Sequence, residues 1–191
     1  ITLVASHWVT FTEITARAIV EQVMPGTEAG EVRRIEQLVQ ADYCRRLREA
    51  HLANPAVYQP TPGALAALTA LRRTTGVSVA IATGDWHDTI SLKLNAAGFD
   101  LAGIPMATSS ERSARADIIR LAVERAGRSL DEAVYVGDGP WDLRATQQLG
   151  IPFIGVGRKV ARLREAGAVH TMDDFSKDEL PGLLAKVASF P

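Results

Sequence analysis

The sequence predicts an α/β fold, a doubly wound parallel sheet with a small helical insert near the N-terminus. Three observations carry this. From Thr61 onward, short apolar runs alternate with amphipathic helical patterns, as in βαβ units around a parallel sheet. Two of those runs, residues 77–82 and 133–136, stop abruptly at Thr83-Gly84-Asp85 and Gly137-Asp138-Gly139, where the backbone must turn. Before Thr61, two helical patterns follow one another without a strand between them, which marks an insert rather than part of the sheet. Right-handed crossovers bring the carboxyl ends of all strands to one edge. Thr83 and Asp138 should therefore face one crevice, where open α/β sheets hold their ligands.

Composition bounds the reading. The 191 residues suffice for one core domain plus a small insert. A net charge of −1 without a block of like charge gives no sign of a nucleic-acid-binding surface. The single cysteine, Cys44, excludes a disulfide framework, and a reducing cytoplasm is the expected location. No apolar run approaches the length of a membrane span, so no membrane partner is expected. No feature assigns an oligomeric state. The chain opens on Ile1 rather than Met, and it is expected to begin inside a longer one.

The elements follow in order. Residues 1–5 are a short apolar run rich in β-branched side chains. Thr10 and Glu13 have capping-box spacing, and Phe11, Ile14, Ala18, Ile19 and Val23 follow a helical period. Pro25-Gly26 ends that helix. A second helix carries Val32, Ile35, Leu38, Val39 and Leu47 on its apolar side, with Arg45, Arg46 and Arg48 on a solvated face, and closes near Asn54-Pro55. Thr61-Pro62-Gly63 opens a third, with Pro62 at its first position. Residues 77–82 form the cleanest strand, followed by a helix to about Ala97 that Gly98 stops. A weak strand at 101–107, a polar loop at 109–113 and a helix at 114–126 come next. Strand 133–136 leads into a helix from about Pro140 to Leu149, with Pro140 suited to its first turn and Gly150 to its stop. Residues 151–156 read as a strand, 158–166 as a helix, 168–171 as a last short strand and 180–188 as a terminal helix.

The crevice has recognisable chemistry. Asp138 and Asp142 flank a strand-to-helix turn, and two neighbouring carboxylates repel unless a proton or a cation holds them; a hard cation such as Mg2+ suits oxygen ligands. The plainer reading has Asp138 capping the helix and Asp142 facing water, but the strand and the Gly-Asp-Gly turn outweigh it. Thr83 offers a hydroxyl, while Gly84 and Asp85 offer backbone N–H groups at a helix start, a natural phosphate seat. Arg112 or Arg115 could neutralise phosphoryl charge. These are parts for phosphoryl transfer, lacking a nucleophile and its acid. His7, His51, His87 and His170 show no metal-ligand spacing, and Trp86 and Trp141 are expected to wedge helix against sheet.

Residues 79–85, Val-Ala-Ile-Ala-Thr83-Gly84-Asp85, resemble the second motif of the haloacid dehalogenase-like hydrolase superfamily. Residues 134–142, Val-Tyr-Val-Gly-Asp138-Gly-Pro-Trp-Asp142, resemble its fourth, and the family register runs from Thr61 to Gly157. The resemblance implies a Rossmann-like core, Mg2+ as cofactor and a small phosphorylated substrate. It further implies that Thr83 and Gly84 bind phosphoryl oxygens, that Asp138 binds the metal, and that Asp142 assists directly or through water. At the third motif the usual Lys position holds Ser113; Arg115 is the better substitute, with Arg112 second.

The first motif, an apolar strand followed by Asp-x-Asp-x-Thr, is not present. In one alignment Ile1-Thr2-Leu3-Val4-Ala5-Ser6 is the motif's tail, Thr2 is its phosphate-binding threonine, and both aspartates lie upstream of Ile1. In the other, residues 2–5 are the strand itself, and Ser6, Trp8 and Thr10 replace Asp, Asp and Thr. We favour the first, because a sheet without its central strand exposes two strand edges and much core. The resemblance to phosphoglycolate phosphatase-like members implies a helical cap at 8–58 and a core at 1–7 plus 59–191. The implied activity is Mg2+-dependent hydrolysis of a phosphate monoester through an aspartyl-phosphate. A catalytically inactive binding relative, a 2-haloacid dehalogenase and a phosphomutase are the alternatives.

Overall fold

A computed structural model describes residues 11–187; Thr2, Ser6, His7, Trp8 and Thr10 lie outside the described residues. Two helices come first, α1 (Ala16–Val23) and α2 (Ala29–Ala53), followed by α3 (Ala64–Arg73). Strands and helices then alternate as β1 (Ile81–Ala82), α4 (His87–Ala96), β2 (Met106–Ala107), α5 (Arg115–Arg125), β3 (Tyr135–Gly137), α6 (Pro140–Leu149), β4 (Phe153–Val156), α7 (Val160–Glu165), β5 (His170–Met172) and α8 (Leu180–Val187). β1 pairs with β2, β3 with β4 and β4 with β5, all in parallel. The α/β class and its parallel pairing are as the alternating pattern predicts.

The ladder is divided. β1-β2 form one sheet and β3-β4-β5 another, so among the described residues β1 and β3 each present an unpaired edge to the other. A cavity of about 320 Å3 lies between these edges, lined by Ala80, Ile81 and Ala82 on one side and Val134, Tyr135 and Val136 on the other. Tyr135 bridges it, its hydroxyl donating to the Ala82 carbonyl at 3.0 Å. One intervening strand separates its two neighbours by about 9–10 Å. The reach of a tyrosine side chain plus a hydrogen bond is of that order, about 9–10 Å. The predicted strand 77–82 contracts to Ile81–Ala82, and among the described residues β1 pairs only with β2.

The core packs on both sides of β4. Ile154 is fully buried with Met172, Leu180 and Val187. Phe153 points the other way, with Leu143, Leu163 and Ala168. Burial on both faces is why residues 151–156 read as a continuous apolar run instead of alternating.

Three expectations need correction. α2 does not bury Leu38 and Val39, which are exposed; it buries Glu36, Cys44 and Leu47, because polar partners for Glu36 turn the helix toward α1 and α4. Glu13 does not cap α1: Thr15 does, accepting from the Ala18 N–H at 3.2 Å, while Glu13 accepts from Arg115 N–H at the start of α5. Pro62 precedes α3 rather than opening it, and Gly63 is the N-cap at φ +77°, where its α-carbon lies against the Phe175 backbone too closely for any side chain. Arg45 and Arg46 do lie on the outer face of α2, paired with Asp42 and Glu49.

Because Ile154 has no room to relax around a lost methyl, Ile154→Val should cost about 1 kcal/mol and Ile154→Ala about 2–5 kcal/mol. Urea unfolding with an unchanged m-value would confirm that the loss is in the folded core.

Candidate active site

The strand-to-helix turn after β3 is built by Asp142. Gly139 is the N-cap of α6, and Asp142, at its third position, reaches back so that the Gly139 N–H donates to Oδ2 at 3.0 Å. The Trp141 indole lies directly over Gly139, where any larger residue would collide with it. Asp142 is therefore buried at 2% exposure, whereas Asp138 points outward from the strand end. The plainer reading, a solvated Asp142 and a capping Asp138, is thus not what the turn shows.

Arg115, the first residue of α5, answers the buried carboxylate. Its Nη1 lies 3.3 Å from Asp142 Oδ1, and its side chain is 10% exposed. Nη2 donates to the Ile14 carbonyl at 2.9 Å, and Nε is buried with no partner among the described residues. Tyr135 completes the cluster, its hydroxyl 3.4 Å from Asp142 Oδ1. Burial raises the Asp142 pKa, and the nearby Asp138 charge adds to the rise, against the pull of Arg115 and the Gly139 N–H. Burial also lifts Tyr135 above the ordinary tyrosine value, so its hydroxyl remains a donor. Arg112 takes no part: it is exposed and donates to the Glu111 carbonyl beside it. Ser113 is likewise turned away, its hydroxyl on Glu21.

The turn after β1 meets this cluster from the other side of the slot. A Cβ on Gly84 would sit 2.5 Å from Arg115 Nη2 and 3.1 Å from the Ile14 carbonyl, so only glycine lets the guanidinium this close. Thr83 continues the pairing with β2 through its N–H to the Ala107 carbonyl, and its hydroxyl accepts from the Asp85 N–H at 3.2 Å. That bond occupies one of the amides expected to seat phosphate. The Gly84 N–H makes no hydrogen bond to another described residue. Thr83, Gly84, Arg115, Asp138 and Asp142 thus gather at one sheet edge; Thr2 lies outside the described residues.

The donor set bears on the expected Mg2+. No group of three metal-ligating side chains occurs among the described residues. Asp138 projects a carboxylate into solvent and makes no hydrogen bond or ion pair with another described side chain. Both oxygens of Asp142 are engaged, by Arg115 and Tyr135 on one and Gly139 on the other. The chemistry of the pair would suit a hard cation that keeps several waters, which Asp138 would meet with its open carboxylate.

Some participants carried no sequence signal. Tyr135 read as one residue of an apolar strand, and Glu13 and Ile14 as helix pattern. Trp86 does not wedge helix against sheet alone: it is buried at 4% exposure and donates its indole N–H to Glu36 of α2 at 2.9 Å.

Truncating Arg115 leaves Asp142 buried without its counter-charge. Arg115→Met should cost about 3–5 kcal/mol, and adding Asp142→Asn should recover part of it rather than add a second loss. Urea unfolding of the four proteins of this cycle measures the coupling.

Comparison with known proteins bears on the family and the fold. A family model for haloacid dehalogenase-like hydrolase matches residues 7–150. A hydrolase from Pseudomonas syringae is similar in structure, with a TM-score of 0.65 at 24% identity over 87% of this chain and 77% of that one. A conserved haloacid dehalogenase-like protein of unknown function from Agrobacterium tumefaciens superposes with a TM-score of 0.56 at 20% identity, over 98% of this chain and 85% of that one. At such identities the two structures speak for the fold. No curated protein matches the chain. Three loops converging on one sheet edge, in a register that the family model spans from 7 to 150, identify this chain as a haloacid dehalogenase-like hydrolase.

Proposed function

We propose that the protein hydrolyses a small phosphate monoester with Mg2+, through an aspartyl-phosphate. One observation carries this: the Gly84 turn, Arg115 and Asp142 touch in sequence, 2.5 Å from a Gly84 Cβ position to Nη2 and 3.3 Å from Nη1 to Oδ1, beside the exposed Asp138. Phosphoryl transfer asks mainly for positioning and for positive charge around the transferred group.

In this reading the attacking carboxylate lies upstream of Ile1, on a strand that fills the slot between β1 and β3. The slot supports it, since among the described residues it lies between the edges of two parallel strands, β1 and β3. The carboxylate oxygen bonds to phosphorus as the ester P–O bond breaks, and the second aspartate of the motif protonates the leaving alkoxide. Water then attacks phosphorus, releasing phosphate and restoring the carboxylate. Thr83 and the Gly84 N–H, which is without a partner among the described residues, hold phosphoryl oxygens, joined by Thr2 of the motif's tail. Arg115 neutralises charge on the nucleophile and the phosphoryl group. Asp138 would hold Mg2+, with Asp142 through water; the cation would offset charge on the phosphoryl oxygens. Residues 8–58 act as a cap that excludes bulk water and contacts the leaving group. This reading involves no nucleic-acid or membrane partner; among the described residues no helix is long and apolar enough to cross a membrane. We place the reaction in the cytoplasm.

The test starts with the intact mass of the protein purified from its own source. A mass above the 20.6 kDa of this chain by roughly a strand and a turn, ~12 residues, is expected. That protein should release phosphate from p-nitrophenyl phosphate with Mg2+ and lose the activity in EDTA. Asp138→Asn should lower kcat by about 100-fold. A mass of 20.6 kDa with no phosphate release overturns the reading. Metal-independent halide release from a 2-haloacid would assign the dehalogenase reaction instead.

A further inference from the structure

A second polar cluster lies where α2 crosses the start of α4, outside the groups used above. At its centre is Glu36, in the middle of α2 and 6% exposed. Its carboxylate accepts from Arg17 Nε at 3.1 and 3.3 Å and from the Trp86 indole N–H at 2.9 Å. Two helical turns on, at i+7 and so on the same face, the Tyr43 hydroxyl accepts from Lys93 Nζ at 2.9 Å, and the Tyr43 ring meets Trp86 edge-on at 6.4 Å. Lys93 also donates to Asp85 Oδ2 at 2.6 Å. Asp85 Oδ1 in turn accepts from the Trp86 N–H at 2.9 Å and from the Thr89 hydroxyl at 2.5 Å.

Every chain of bonds in this cluster ends on residues 83–86. Asp85 and Trp86 are bonded from α2 and α4, the Asp85 N–H reaches Thr83 Oγ1, and the Gly84 carbonyl accepts from the Ala16 N–H of α1 at 2.6 Å. Apolar packing would hold α2 to α4 equally well but would not set an orientation. A buried carboxylate with an indole donor does, because leaving either group unpaired is costly. Burial works against the Lys93 charge, yet its hydrogen bonds with Asp85 and Tyr43 outweigh it and raise its pKa above the ordinary lysine value. The link is therefore ionic at neutral pH.

We propose that Glu36 is a positioning residue: through Trp86 it sets the conformation of the Thr83–Gly84 turn, so that a helix outside the sheet determines the geometry of the phosphate seat. The effect on phosphate rests on the phosphatase reading above; the positioning itself does not.

The test compares Glu36→Gln, which keeps an oxygen for the Trp86 indole, with Glu36→Ala, which removes it, both in the full chain. Amide exchange is followed at Ala16, Asp85 and Trp86, with the amides of α5 and β4 as internal reference. E36A should exchange at least about tenfold faster at the three positions with the reference unchanged, and E36Q should stay within about twofold of the parent. Inorganic phosphate titrated in the presence of Mg2+ should bind about tenfold more weakly to E36A and normally to E36Q. The proposal is overturned if E36A exchanges like the parent, if the reference amides speed up equally, or if E36Q and E36A behave alike. Exchange in the expected order in a protein that binds no phosphate would overturn the phosphatase reading and leave the positioning role standing.

Discussion

The ion pair between Arg115 and Asp142 is the contact on which the rest of the sheet edge depends. Two charges have left water here, and such a pair holds only if its remaining hydrogen-bonding capacity is met. That requirement recruits groups from distant parts of the chain. Gly139 N–H and the Tyr135 hydroxyl bind Asp142, and the Ile14 carbonyl binds Arg115. Glu13 then accepts from the Arg115 backbone N–H, so the start of α5 is tied to the segment before α1 through side chain and main chain alike. One buried carboxylate thus sets the turn after β3, the entry to α5 and the approach to α1.

The slot between β1 and β3 complements this polar anchor. Among the described residues two parallel edges face one another, and the Tyr135 hydroxyl bridges them by donating to the Ala82 carbonyl. Unpaired edges are a liability for a soluble sheet. Tyr135 offsets this in part, since the hydroxyl that reaches Ala82 also lies 3.4 Å from Asp142 and so ties the end of β1 to the ion pair.

Contacts between α2 and α4 extend the same logic outward. The turn that carries Thr83 is gripped from three helices, by Ala16 of α1, by Glu36 and Tyr43 of α2, and by Thr89 and Lys93 of α4. The third grip is local in sequence, since Asp85 accepts from the Trp86 N–H and the Thr89 hydroxyl just beyond it. The first two are long-range, and they couple the helical segment to the sheet through oriented hydrogen bonds rather than through apolar area.

Sequence alone determined the order of elements and the register of the turns. Apolar period, turn glycines and the position of Pro140 mark α6 from Pro140 to Leu149 and its stop at Gly150, because these signals act within a few residues of the backbone they shape. It also singled out Thr83, Gly84, Arg115, Asp138 and Asp142, since strand ends in a parallel sheet share one edge. Tertiary structure decided which of them meet. Arg115 and not Arg112 reaches Asp142 because only the former lies on the inner face of α5. Asp142 is engaged and Asp138 is open, although spacing treats the two alike. The face that α2 buries was illegible for the same reason: a carboxylate among apolar neighbours reads as solvent-facing until its partners, Arg17 and a tryptophan fifty residues away in the chain, are known to lie beside it. Local signals reveal where the chain turns, whereas burial of charge depends on partners that only folding brings together.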